Sequence, residues 1–274
     1  MSGVGLLVVV LAASTVAMIL AWNVQRRTGN AGIVDVVWSA ALGASAVFHA
    51  LGASGAILPR VLVALMGGLW GTRLALHLWH RVSREQEDGR YAHLRAHWDG
   101  DQRKFLAFFL AQAVLIVLFS VPFWIVAHNP QSHWTVWTTL AVVTWLVAAI
   151  GETVADRQLA AHRSDPAQRG LTCRSGLWRY SRHPNYFFEW LHWFAYTFLA
   201  VGAGAGWVAA SLLAPALMLC TLYWITGIPY TEAQALRSRG ADYLRYQRTT
   251  SALIPWFPRK DSAPAGRDDP GQSP

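Results

Sequence analysis

Residues 176–190 read Gly-Leu-Trp-Arg-Tyr-Ser-Arg-His-Pro-Asn-Tyr-Phe-Phe-Glu-Trp. Arg179, Arg182 and His183 stand directly before an aromatic and aliphatic run that continues to about residue 201. The pattern sets a basic, aromatic-rich loop at the mouth of a membrane helix and carries Asn185 and Glu189 into that helix one turn apart. A passive span needs none of these groups, because each is costly in hydrocarbon. Such a loop is suited to holding an anionic cofactor beside an apolar substrate.

Outward from this stretch, the chain of 274 residues is 54% hydrophobic and only 14% charged, too apolar for an ordinary soluble domain. Its apolar residues gather in blocks near 4–22, 32–51, 59–80, 105–126, 134–153, 186–201 and 207–227. Each approaches the roughly 20 helical residues that cross a bilayer. The sixth is short and fits a tilted or interfacial placement. The first lacks a basic start and is followed by Arg26 and Arg27, so it reads as a span rather than a signal peptide. The predicted fold is therefore all-α, a polytopic integral membrane protein of about seven transmembrane helices. One domain covers 1–257, and the Pro-, Gly-, Asp- and Ser-rich stretch 258–274 reads as a disordered tail.

The net charge of +8 is distributed by the membrane rather than by a nucleic acid. Arg and Lys crowd the segments after the first, third, fifth and seventh blocks, and the alternate loops 52–58, 127–133 and 202–206 carry none. This positive-inside pattern predicts a protein integral to the cytoplasmic membrane, N-terminus outside and C-terminus in the cytoplasm. It excludes nucleic acid as partner and leaves lipids and a lipophilic small molecule. Segment 231–248 reads as a basic amphipathic helix on the membrane surface. Cys173 and Cys220, one in a loop and one in a span, suggest no disulfide. His77 with His80 and His93 with His97 lack a metalloprotease-type glutamate and read as interfacial or solvated, so no metal is expected.

Several ionisable side chains fall inside apolar blocks, where an Asp or Arg costs about 2.5–3.5 kcal/mol on insertion scales. Asp35 and Arg73 lie in spans, Glu189 in the sixth, and Glu152 and Asp156 share a helical face at the end of the fifth. Interhelical ion pairing is one reading, with Asp35–Arg73 its natural case. A polar cavity accounts better for the larger set of Glu152, Asp156, Arg163, Arg182, His183, Asn185 and Glu189, which crowd one membrane boundary. Gly67, Gly68 and Gly71 give the small-residue spacing of close helix packing. Most tryptophans read as interface anchors, whereas Trp70 sits within a span one turn before Arg73. No Gly-x-Gly-x-x-Gly or P-loop is present, so a nucleotide would be held by arginine forks.

At Asp35-Val-Val-Trp38, Trp70-Gly-Thr-Arg73, Glu87-Asp-Gly-Arg-Tyr91, Glu152-Thr-Val-Ala-Asp156-Arg-Gln-Leu159, Gly176–Tyr186 with Glu189, and Tyr243–Pro258, the chain resembles the steroid 5α-reductase superfamily. It is most similar to the bacterial branch filed as a domain of unknown function, DUF1295. The resemblance implies a seven-helix fold that binds NADPH from the cytoplasmic side and reduces a carbon–carbon double bond conjugated to a ketone. By position it assigns Glu152, Asp156 and Arg163 to the cofactor, Asn185 to its nicotinamide side and Arg73 to its neighbourhood. Arg182, His183 and Tyr186 belong to the same loop, and Glu189 and Glu232 complete the cofactor set. Arg163, Arg179, Arg182 and His183 are the phosphate-holding groups.

The family's acid–tyrosine pair, which polarises the ketone, falls near Asp35 and Trp70. Tryptophan stands where the family has tyrosine, and an indole donates a hydrogen bond without a proton to give. Near the seventh helix, Glu232 and Leu236 stand where the steroid enzymes have His and Tyr. The Arg-His-Pro-Asn-Tyr block with Glu189 is also similar to lipid and isoprenylcysteine methyltransferases that bind S-adenosylmethionine. That alternative lacks the second acidic residue beside Glu232. A third reading is a lipid-binding protein that keeps the fold without catalysis.

Overall fold

A computed structural model of the chain describes residues 3–225 and 227–261. The helices are α1 (Gly3–Thr28), α2 (Ile33–Gly52), α3 (Ile57–Arg84), α4 (Gly89–His97), α5 (Gln102–Ala127), α6 (Val136–Ser164), α7 (Pro184–Leu199), α8 (Ala205–Ser211), α9 (Leu213–Cys220) and α10 (Ile228–Thr249). No strand occurs among the described residues. The protein is an all-α polytopic membrane protein: α1, α2, α3, α5, α6 and the stretch 205–249 are long and apolar enough to cross a bilayer. The block expected at 186–201 forms α7, whose 16 residues reach about 24 Å at 1.5 Å per residue, short of the ~30 Å hydrocarbon core. The last apolar block is broken into α8, α9 and one π-helical segment, Thr221–Ile225. Of the tail expected from 258, residues 262–274 lie outside the described residues.

The chain divides into two compact units, one made of residues up to Ile150 with Phe188–Tyr230, the other of Gly151–Phe187 with residues from Thr231 onward. In the first unit α2 packs chiefly on α3, α1 and α5. The glycines read as a packing surface act as one. A Cβ on Gly71 would lie 2.6 Å from the Gly43 Cα, and one on Gly67 2.4 Å from the Ala46 Cβ. Backbone thus meets backbone, the arrangement that small residues permit when lipid offers helices no hydrophobic drive to associate. Arg60, early in α3, closes the end of α2: its Nε donates to the Ala50 carbonyl at 2.6 Å and its Nη2 to Leu51 at 3.3 Å. A cation at a helix C-terminus also opposes the helix dipole.

The other end of this unit is knitted by α4 and the turn between α1 and α2. Arg95 donates to Glu87 at 2.8 and 3.0 Å, to the Gln25 amide oxygen at 3.2 Å and to the Gly29 carbonyl at 3.0 Å. Glu87 accepts the Ala31 amide at 2.8 Å. These bonds satisfy buried Gln25 and the turn backbone together, as low-dielectric burial demands.

In the second unit, α10 bends at Gly240, where φ is +51°, a left-handed value that glycine accepts without penalty. Tyr246 on α10 donates its hydroxyl to the Trp178 and Ser181 carbonyls, and the Trp178 indole donates to the Ala155 carbonyl at 2.9 Å. The loop 171–183 is thereby fixed to α6 residues on one side and to α10 on the other.

Candidate functional site

Two polar constellations emerge, one in each unit. In the first unit, Glu189, His192, Trp193 and Tyr196 follow one another on α7 at intervals of three, one and three residues, so they form a single stripe. Trp70 on α3 meets that stripe. Its indole donates to Glu189 Oε2 at 3.0 Å, and its ring stacks on His192 with centroids 4.6 Å apart and planes 19° apart. His192 Nε2 lies 2.8 Å from the Tyr196 hydroxyl. Trp70, His192, Trp193 and Tyr196 are buried, and Phe119, Phe123 and Trp38 complete the aromatic wall. Arg73, one turn along α3, is close enough for its charge to act on His192.

The Trp38 and Trp193 indole nitrogens and His192 Nδ1 are buried and meet no hydrogen-bond partner among the described residues. Each such group costs about 1–3 kcal/mol if left unsatisfied, so each calls for a polar partner that the described residues do not supply. The sequence reading singled out Trp70 and Glu189 but passed over His192 and Tyr196. Their spacing from Glu189 was the available signal: titratable groups stacked every three or four residues in an otherwise apolar helix.

Asp35 has different company. Its Oδ1 accepts the Tyr91 hydroxyl at 2.7 Å and its Oδ2 accepts Arg90 at 3.1 Å. Arg90 and Arg81 also reach Asp88, at 3.1 and 2.7 Å. Burial would raise the Asp88 carboxyl, but Arg90 and then Arg81 hold it below its ordinary range. Burial, and next the neighbouring Asp35 charge, push the Tyr91 phenol well above its ordinary value. The Trp70 indole is thus given to Glu189, and Asp35 pairs with Arg90 of α4; the Asp35–Arg73 ion pair considered above does not form.

The second unit gathers most of the remaining predicted residues. Arg182 donates through Nε to Glu232 Oε1 at 2.6 Å and through Nη1 to the Gln247 and Thr250 carbonyls at 2.9 and 2.6 Å. Its guanidinium therefore closes the end of α10 and anchors that helix's first turns at once. His183 Nε2 lies 3.2 Å from the same Glu232 oxygen, and Gln247 donates to the other at 2.7 Å. Burial pushes the His183 imidazole below its ordinary value, against the pull of Glu232. The Tyr186 ring stacks on His183 at 5.2 Å, and its hydroxyl lies 3.3 Å from the Thr231 hydroxyl.

Asn185 donates to Asp156 Oδ1 at 3.3 Å; both are half-buried, and Glu152 is buried one turn before Asp156. Arg163 and Arg179 extend into solvent. The structure thus separates two kinds of residue within the predicted set: Arg182, His183 and Glu232 hold one another, while Asp156, Asn185, Arg163 and Arg179 retain accessible surface.

A sequence profile of the family described as a protein of unknown function, DUF1295, matches residues 21–250. No curated protein and no solved structure matches the chain. With 230 consecutive positions matched, spanning α2 to α10 and both polar constellations, the chain belongs to the DUF1295 family.

Proposed function

We propose that this protein is a membrane-embedded, NADPH-dependent reductase of a conjugated carbon–carbon double bond in a lipophilic enone. The observation that carries the reading is the Trp70–Glu189–His192–Tyr196 constellation, two hydrogen-bonded pairs joined by the Trp70–His192 stack within an aromatic wall. Ionisable groups buried in an apolar helix of a membrane protein are functional-site candidates by default, because placing them there is costly. The Trp38 and Trp193 indole N–H groups offer donors for a ketone oxygen, and they would strengthen their hold as negative charge grows on it. Glu189, bonded to the Trp70 indole, takes the place read for Asp35, whose two oxygens serve Tyr91 and Arg90.

The residues of the second unit fit a dinucleotide. Arg163 and Arg179 offer guanidinium forks to phosphates, and the half-buried Asp156–Asn185 pair offers donor and acceptor to a ribose or carboxamide. NADPH, when bound, supplies the hydride. The chain's own groups hold the carbonyl, exclude water with their aromatic wall and position the nucleotide loop through Arg182, His183 and Glu232. The distribution of Arg and Lys favours the cytoplasmic side for this loop, where NADPH is available.

The methyltransferase alternative would lean on Glu232, yet its oxygens are taken by Arg182, His183 and Gln247. Mass spectrometry of the nucleotide that copurifies with the full chain from membranes tests the reading. NADP(H) is the expected species; S-adenosylmethionine or its demethylated product in its place would favour the methyltransferase, and neither would speak for a non-catalytic protein.

A further inference from the structure

The residues that follow α10 carry a feature that neither polar constellation uses. In Leu253-Ile-Pro-Trp-Phe-Pro258, Leu253 is buried at 1% exposure, whereas Ile254, Trp256 and Phe257 are exposed at 56, 68 and 76%. Exposure of this kind often accompanies a loose chain end, but here the backbone is tied down at four places. Arg182 N donates to the Ser251 carbonyl at 2.8 Å, and Ser181 Oγ to the Leu253 carbonyl at 2.7 Å. Trp256 N donates to the Tyr180 carbonyl at 2.9 Å, and Arg259 N to the Thr249 carbonyl at 2.8 Å. The Phe257 ring meets Tyr180 edge-on at 5.9 Å. Three large apolar side chains are therefore displayed from a fixed scaffold at small further entropy cost.

The backbone suits a poorly hydrated surrounding as well. Pro255 and Pro258 have no amide hydrogen, and the Trp256 and Arg259 amides are already bonded, so half of the backbone positions in 253–260 offer no donor that wants water. Around the tip stand exposed Arg245, Arg248, Arg259 and Lys260; the first two face Asp261 at 3.5 and 3.2 Å, and the last two meet no carboxylate among the described residues. A Trp–Phe–Ile tip inside a basic collar matches the chemistry of the bilayer interface, where aromatic rings settle at headgroup level and cations meet anionic lipid.

We propose that the strap 253–260 is a lipid-anchoring element of the second unit. Ile254, Trp256 and Phe257 insert into the interfacial layer of an anionic leaflet, and Arg259 and Lys260 contact its headgroups. The proposal is independent of the reductase reading.

Single nitroxide labels at Phe257→Cys and, separately, Trp256→Cys test it, each in the full chain carrying Cys220→Ser, with Cys173 left in place because it is buried. The labelled proteins are reconstituted in nanodiscs of phosphatidylcholine alone or with 30% phosphatidylglycerol. The expected result is collision with oxygen in preference to a water-soluble nickel chelate, with greater depth when phosphatidylglycerol is present. Preferential collision with the nickel chelate would place the tip in water and overturn the proposal. Shielding from both reagents would overturn it in favour of a protein contact such as a second copy. Equal depth in the two membranes would remove the basic collar from it.

Discussion

Trp70 carries an indole, which can donate a hydrogen bond but cannot relay a proton at accessible pH. Its donor is committed to Glu189, and its ring lies on His192, which in turn meets Tyr196. Glu189→Gln keeps the shape of this contact and removes the titratable group. On the proposed reading it should lower enone reduction by on the order of a hundredfold while NADPH still protects the protein against heat; equal losses of both would place Glu189 on the nucleotide instead.

Arg182 is a structural residue in its geometry, and Arg182→Ala leaves Glu232, 13% exposed, without its closest cation. Breaking such a pair typically costs about 3–5 kcal/mol. The thermal midpoint should fall sharply even without nucleotide, and the double variant with Glu232→Gln should recover part of the loss. A midpoint unchanged in Arg182→Ala would argue that the clamp carries little.

His183 provides a pH test. Burial lowers its folded-state value, so the unfolded chain takes up the proton first. Its contribution to stability is present above about pH 6.5, the unfolded value, and is lost as pH falls below that. Thermal midpoints measured from pH 7.5 to 5 should therefore decline more steeply in the wild type than in His183→Asn. Stability rising toward pH 5 would reverse the assignment.

At the scale of elements, the contact of α2 with α3 rests on the absence of side chains. A methyl on Gly71 would meet Gly43 backbone atoms at 2.6 and 2.7 Å, whereas one on Gly68 would meet only a Val47 methyl at 3.2 Å. Gly71→Ala should then cost about 1–3 kcal/mol through forced helix separation, and Gly68→Ala much less. Similar unfolding midpoints in detergent for the two variants would refute the packing account.

The packing surface on α3 was legible beforehand, though not its partner α2, because glycines four apart in an apolar helix have few other uses. The partner of Asp35 was not. Sequence offered Arg73, an intramembrane cation, while the structure supplies Arg90, 55 residues away on a helix that folds back over the α1–α2 turn. The Trp70–Glu189 bond, across 119 residues, was equally invisible, since no local period reports which helices become neighbours. The short α7 was readable as a shortened apolar block, and its His192 and Tyr196 were missed because they resemble ordinary helix-packing aromatics in a list of residues.

For the whole molecule, the all-α membrane fold followed from composition and from blocks of apolar residues, the first five of which became α1, α2, α3, α5 and α6. The division of the chain into two compact units was not anticipated, because three helices, α6, α7 and α10, run without interruption from one to the other. The charge distribution predicts a cytoplasmic C-terminus: an alkaline phosphatase fused there should be inactive and a fluorescent protein bright, and the opposite pair of outcomes would invert the topology.

Titration of the purified full chain with NADPH, followed by calorimetry beside Asn185→Ala, bears most directly on whether this fold holds a dinucleotide. The account predicts saturable binding by the wild type and a loss of at least tenfold in affinity in the variant, with its unfolding midpoint unchanged in the absence of nucleotide. Absence of NADPH binding by the wild type, or equal affinity in both proteins, would contradict it.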